Sequence, residues 1–279
     1  VTMLTTTANV AGILPDSFGP LIIQPVQDRS IAFQVSNVIS TGTTKMRVPV
    51  ITDDPNAAWV AEGAEINADE GTLDQLTITP TKVAGLTPIS SELASDSSPA
   101  AGQLIGEGLA RSIAKVVDAA FFGNAAAPAQ KGLGGLVGVN VVDAGAAWIN
   151  LDPFAEAIAE AEQVGATITS FVANPTDALI LAQLKDEDGS NRPLLGVDPT
   201  QPTRRLVQGV RLFVSPAVAP GTVFGIPADR SLVVLRDDVT VDVDHSVFFT
   251  SHRVAVRAIM RVGFGFPHAA AIQKVTLTP

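Results

Sequence analysis

Residues 43–90 read as a two-stranded ribbon, and a ribbon of that length must lie on some other surface. In its rising limb, 43–52, Met46, Val48 and Val50 fall on one face while Lys45, Arg47 and Pro49 fall on the other, the period of two expected of a strand. In the return limb, 73–86, Leu76, Ile78, Pro80, Lys82 and Ala84 alternate with Gln75, Thr77, Thr79, Thr81 and Val83, and the proline marks an edge strand or a free ribbon. Between the limbs lie Asp53, Asp54, Glu62, Glu65, Asp69, Glu70 and Asp74, with no Lys or Arg among them. An isolated hairpin is marginal in water, so the supporting surface is expected to come from another subunit.

The 279 residues, 46% hydrophobic and 16% charged, supply a real core for one large or two small domains. A formal charge of −10 repels phosphate, which argues against sequence-specific reading of nucleic acid through a basic face. No apolar run approaches the roughly 20 residues that span a bilayer, and the first residues lack a basic-then-apolar signal layout, so no membrane partner is expected. Cysteine is absent, which removes disulfides and thiolate zinc sites.

The first 28 residues, rich in Thr, Pro and Gly, read as an extended terminal arm. After the ribbon, Ser98 as cap and Pro99 as first residue predict a helix to residue 122, with Leu104 or Ile105, Leu109, Ile113, Val116 or Val117, and Ala120 along its apolar face. Gly102, Gly106 and Gly108 weaken it by about 1 kcal/mol each relative to alanine, which suits close packing or bending. Asp152 as cap and Pro153 as first residue open a second helix ending at Gly165. Strand 167–173, the Asn174–Pro175 turn and helix 176–185 follow, and from Leu206 onward the pattern is short strands. Helices and strands segregate, giving an α+β chain and disfavouring a doubly wound nucleotide fold.

Candidate chemistry is sparse. A zinc site would combine His245 and His252 with Asp242 or Asp244, but their spacing fits a strand and no helical two-histidine pattern, so solvated strand-edge residues are expected. Gly132, Gly134, Gly135 and Gly138 imitate a phosphate loop, yet Val137 holds the third glycine position and a helix, not a strand, precedes them; a turn is expected. A calcium loop beginning at Asp186 with Asp188 would need glycine and a bidentate acid where Asn191 and Val197 stand. No Gly-x-Ser-x-Gly elbow occurs, and the acids of the ribbon tip have no pocket to shift their titration. Neither catalysis nor a cofactor or metal is expected. Arg253, Arg257 and Arg261 share one strand face with Ala255 and Ile259, while Val254, Val256, Ala258, Met260 and Val262 face the other way. Such a basic face would complement the acidic ribbon of a neighbour, Asp53, Asp54, Glu62 and Glu65 being the acids concerned.

AWVAEGAEI at the ribbon tip, TPISSELASDS before the long helix, VDAAFFGNAAAPAQKGLGGL at its end and FVANPTDALILAQLKDEDG beyond, followed by GVRLFVSPAVAPGTVFGIPADRSLVVLRDDVTV and FFTSHRVAVRAIMRVGFGF, together resemble the major capsid proteins of tailed bacteriophages over nearly the whole chain. The resemblance implies the phage major capsid fold: an N-terminal arm, 1–40; an extended loop, 41–90; a peripheral domain, 91–145 with 237–265, around spine helix 99–122; and an axial domain, 146–236 with 266–279. It implies hexamers and pentamers of identical subunits closing into an icosahedral shell around double-stranded DNA, assembly in the host cytoplasm, a place in the virion capsid, and portal, scaffolding and decoration proteins as partners. Gly102, Gly106 and Gly108 would then let the spine helix relax as the shell expands. Trp59 would anchor the loop on its neighbour, because aromatics carry interface energy disproportionately.

Two departures from the family's pattern matter. The chain enters the arm without the long scaffolding segment some members carry, so that segment is either cleaved or a separate protein. Some members join a loop lysine to a peripheral asparagine. Lys45 and Lys82 are candidate donors here, but no asparagine follows Asn191, and Phe249, Thr250, Ser251 and His252 stand in the acceptor region. No covalent ladder is expected on denaturing gels. The alternatives are an encapsulin compartment, told apart by protein cargo, and a metal-dependent hydrolase, told apart by metal content and by activity loss on replacing His245 and His252.

Overall fold

The computed structural model describes residues 30–53, 57, 59–60, 63, 65, 72–90, 100–187, 189–197 and 205–278. The expected arm before Ser30, Asp54 and Glu62 of the ribbon tip, and the Ser98–Pro99 helix start lie outside them.

Helix α1 (Ile31–Val35) and strand β1 (Asn37–Ser40) come first. In the ribbon, β2 (Met46–Asp53) and β3 (Thr72–Ile78) pair antiparallel, Met46 opposite Ile78. Strand β4 (Thr81–Ser90) does not continue that ribbon. It pairs along its whole length with β12 (Arg253–Gly265), which pairs in turn with β11 (Leu232–Phe248), and β1 closes the sheet parallel to β11. The single return limb expected over 73–86 therefore breaks at Thr79–Pro80. Proline has no N–H to donate to the ladder there, and the Gln130 amide takes up the Thr79 carbonyl.

The spine helix α2 (Ala100–Phe122) lies across the inner face of this four-stranded sheet. Leu109, Ala110, Ile113, Ala114, Val117 and Phe121 form its buried row, packed with Val256, Ala258, Met260 and Val262 of β12. The apolar stripe therefore runs through Val117 and Phe121; Val116 is exposed and Ala120 only half-buried. Residues 30–40, the end of the expected arm, pack into the body: Ala32, Phe33 and Val35 are buried in the same core.

The second sheet has seven strands in the order β5 (Asn140–Asp143), β13 (Gln273–Thr276), β10 (Thr222–Ile226), β6 (Ser170–Ala173), β9 (Val210–Val214), β8 (Arg205–Val207) and β7 (Gly196–Val197). Helices α3 (Asp152–Gln163) and α4 (Pro175–Gln183) join its core, where Phe154, Ala157 and Ala161 meet Phe171, Val223 and Val275. Asp152 is the first helical residue and Leu151 the cap; Asn150 Oδ1 accepts the Asp152 N–H at 3.3 Å. Asn174 caps α4 by accepting from Thr176 N at 3.1 Å. The buried Asp177 carboxylate ties Trp148 Nε1, at 3.0 Å, to Gly221 N, at 2.8 Å.

All four β6 residues are buried, as a central strand covered on both faces requires. Phe171 and Ala173 belong to the α3–α4 core, whereas Val172 joins Phe213, Phe224 and Ile226 in the core of the spine helix, where Phe122 stacks on Phe224 with ring centroids 6.4 Å apart. Strand β6 is thus the wall between two packed cores, each of which takes one of its faces. Strand β5 pairs within the seven-stranded sheet, and β11 runs through residues 236 and 237. Ladder bonds to β12 carry it through register shifts at Leu235/Asp237 and Asp237/Thr240.

Candidate intersubunit surfaces

Alternation along β2 turns Met46, Val48 and Val50 inward, as its sequence pattern predicts, and exposes Arg47, Pro49 and Ile51. Among the described residues, the ribbon's root is the part that is covered. Ile78 is buried with Leu232 and Val234 of β11, and Ile39, Met46, Val48 and Leu76 pack against them. Gly263 and Gly265 of β12 provide the seat: a Cβ on Gly263 would stand 2.9 Å from Ile78 Cγ2, and one on Gly265 would overlap the Ile78 side chain. Gln130 locks the exit, its carbonyl oxygen accepting Phe264 N–H at 2.7 Å and its amide donating to the Thr79 carbonyl.

Beyond that root the described residues of the ribbon stand exposed. Ile51 and Leu73, opposite each other in register, are 61% and 76% exposed, Val60 and Glu65 are exposed, and Trp59 is fully exposed. An apolar ladder in water without a covering surface marks a contact site. Asp53 ends β2.

Arg253, Arg257 and Arg261 do share one face of β12, with Val254, Val256, Ala258, Met260 and Val262 buried on the other. Two of them already have acidic partners across the ladder: Arg257 Nη2 lies 2.7 Å from Asp242 Oδ2, and Arg261 Nε 3.3 Å from Asp237 Oδ2. Arg253 covers the Phe248 ring at 5.3 Å and donates to Ser251 Oγ at 3.0 Å. Their register neighbours on β4 are Ser90, Leu86 and Lys82. This face is therefore a strip of acid, base and exposed apolar residues across β11, β12 and β4, not a purely basic one. Ala255, in register with Asp244 and Pro88, is buried despite its place among the arginines.

Gly102, Gly106 and Gly108 stand within an uninterrupted helix; Gly106 is buried and Gly108 half-buried. The glycine loop after the spine helix serves packing. A Cβ on Gly132 would collide with the Ala120 and Phe121 carbonyl oxygens, and one on Gly135 with the Asn124 side chain, so the loop seals the helix C-terminus. In the acidic loop Asp186 is held below the usual carboxylate range, first by the Ser190 hydroxyl, and Arg192 lies 3.9 Å away; Asp188 lies outside the described residues. His252 is exposed in the β11–β12 turn with φ 49°, and Asp242, the acid suggested as its co-ligand, is taken by Arg257.

Asp118 was not singled out from sequence. Its carboxylate, buried on the spine helix, accepts Ser30 Oγ at 2.6 Å, Ala32 N at 3.0 Å and Ile31 N at 3.2 Å, fastening the start of α1. Burial pushes its pKa up against the opposing pull of these bonds. The available signal was an acid on an otherwise apolar helical row, between Val117 and Phe121.

A rigid two-sheet body carrying an unsupported apolar ribbon defines a structural subunit built to be covered by its neighbours. The phage capsid family model matches residues 11–277, and the chain belongs to that family: it is a major capsid protein, a non-enzymatic component of the virion shell. No curated protein matches its sequence. Among solved structures it is similar to that of Mycobacterium phage Adephagia, with 18% identity, 98% of each chain covered and a TM-score of 0.74. It is also similar to the capsid of an empty GTA particle, with 19% identity, complete coverage of both chains and the same TM-score of 0.74. Microbacterium phage Oxtober96 supplies a third such structure, at 16% identity, covering 100% of this chain and 96% of that one, with a TM-score of 0.74. At these identities the likeness is one of fold.

Proposed function

We propose that this subunit assembles into hexamers and pentamers that close around double-stranded DNA, and that the ribbon is the strap binding each subunit to the next. The observation that carries this reading is the contrast within one ribbon: Ile78 buried at the root, Leu73 and Trp59 exposed beyond it. The strap lays its apolar ladder on a neighbour, with Trp59 as anchor and Asp53, Asp54, Glu62 and Glu65 directed toward Arg253, Arg257 and Arg261. The Asp242 and Asp237 pairs hold two of those guanidiniums in place, so incoming carboxylates join an existing network instead of ordering free side chains. The body divides into a peripheral part around the four-stranded sheet and an axial part around the seven-stranded one. Portal, scaffolding and decoration proteins complete the particle.

Gly102, Gly106 and Gly108 make the spine helix the element that yields during shell expansion. At Gly108 a Cβ would come no nearer than 3.8 Å to Arg111 Nη2, so Gly108→Ala stiffens the helix without a clash. Electron microscopy of the expressed protein tests assembly. Closed shells of six- and five-fold rings are expected, and a protein that stays monomeric at high concentration with all assembly partners supplied would overturn the reading.

A further inference from the structure

A cavity of about 560 Å³ opens between the spine helix and the turn after β9. Ala119, Ala217 and Ile31 give it apolar walls, Arg111 and Lys115 flank it, and the buried Asp118 also lines it. Asp118 is the residue that fastens Ser30, Ile31 and Ala32, so the described chain begins at the cavity's edge. Among the described residues Arg111 pairs with the exposed Glu107, at 3.6 Å, and Lys115 makes no ion pair.

The residues before this anchor have the matching chemistry. Residues 20–28 read Pro-Leu-Ile-Ile-Gln-Pro-Val-Gln-Asp: four aliphatic side chains that need cover, two prolines that oppose helix, and an acid two positions before Ser30, with Arg29 between them. Two extended residues reach about 7 Å and four about 14 Å, which brings Asp28 to the flanking cations and Val26 to the apolar walls. We propose that segment 20–28 of the same chain docks in this cavity, Asp28 facing Arg111 and Lys115 and Val26 seated by Ala119 and Ala217. Tethering at Ser30 favours the chain's own segment over a neighbour's, because the link makes docking intramolecular. The spine helix would then carry the start of α1 through Asp118 and the preceding segment through its outer face. The inference stands independently of the ribbon's role as strap.

The absence of cysteine allows a direct test. Val26→Cys combined with Ala217→Cys, oxidised mildly as purified full-length protein, should form an intramolecular disulfide, read by non-reducing electrophoresis and by the mass loss of two hydrogens. Val26→Cys with Leu179→Cys, a pair whose second member is exposed on α4, should react about tenfold less. Adding Asp28→Lys to the first pair should cut its yield several-fold. Disulfide-linked dimers would assign the cavity to a second copy's segment and overturn the proposal. Equal yields from the two pairs, or no bond in the first with folding verified by circular dichroism, would equally overturn it.

Discussion

Ile78 sits on Gly265 so closely that a Cβ there would occupy the space of the isoleucine side chain, which would have to shift. The pair links the last ribbon residue to the last residue of β12, and it determines where the ribbon leaves the body. Gly265→Ala should displace Ile78 and cost about 1–3 kcal/mol as an overpacked core does, while Ile78→Ala should cost about 2–5 kcal/mol through the cavity it leaves. Thermal unfolding measures both. Unchanged melting of Gly265→Ala would show that the seat is not tight.

Gly132 faces a harder constraint, because the atoms in its way are the backbone carbonyls of Ala120 and Phe121. Gly132→Ala should destabilise more than Gly138→Ala, even though Gly138 has a φ of 84°, where a side chain is strained. Denaturant midpoints of the two variants compare them directly. The reverse order would mean that the loop can lift off the helix end.

Asp118 gives a pH dependence whose sign follows from its environment. Its folded pKa is raised above the ordinary 3.8, chiefly by burial, so the folded state holds the proton more tightly than the unfolded one. Its contribution to stability is therefore greatest below 3.8 and falls as pH rises through the higher folded value. Asp118→Asn does not titrate, so the stability of wild type relative to this variant should decline across that window. Asp118→Ala should lose stability at neutral pH as well, since three donors lose their acceptor at about 1–3 kcal/mol for a buried unsatisfied group. Urea unfolding from pH 3 to pH 7 supplies the curves, and parallel profiles for wild type and Asp118→Asn would refute the assignment.

Trp59 tests the strap with little structural interference, because it is fully exposed in the subunit. Trp59→Ala should leave the melting temperature unchanged while weakening assembly by at least about 2 kcal/mol per contact, roughly 30-fold. Sedimentation and electron microscopy of the variant read the outcome. Normal shells at normal protein concentration would remove Trp59 from the interface.

The ribbon's rising limb, the spine helix and the start of α4 were legible because each rests on local periodicity or on a local turn. The alternation that put Ile78 in one row with Leu76 was legible, but its seat was invisible: Gly263 and Gly265 lie far along the chain, and strand pairing between distant segments leaves no local trace. The same reason explains β4, which looked like ribbon until β12 claimed it. Of the two positions offered, Val117 is the buried one, and Phe121 takes the place expected of Ala120, where it meets Phe264 and Phe266. The arginine face was legible as a face. Its aspartate partners were not, because their pairing follows from the β11 register, which shifts twice along the strand before it reaches Asp242.

Strand β11 gives this subunit a mechanical character. Its 17 residues span about 56 Å at the usual rise, from Leu232 beneath the ribbon root to Phe248 beside the hairpin turn. Force pulling a neighbour's strap along such a strand is shared by many ladder bonds in shear, not broken one bond at a time as in unzipping. The beam that aims the ribbon is thus also the member through which tension would spread into the body of the subunit.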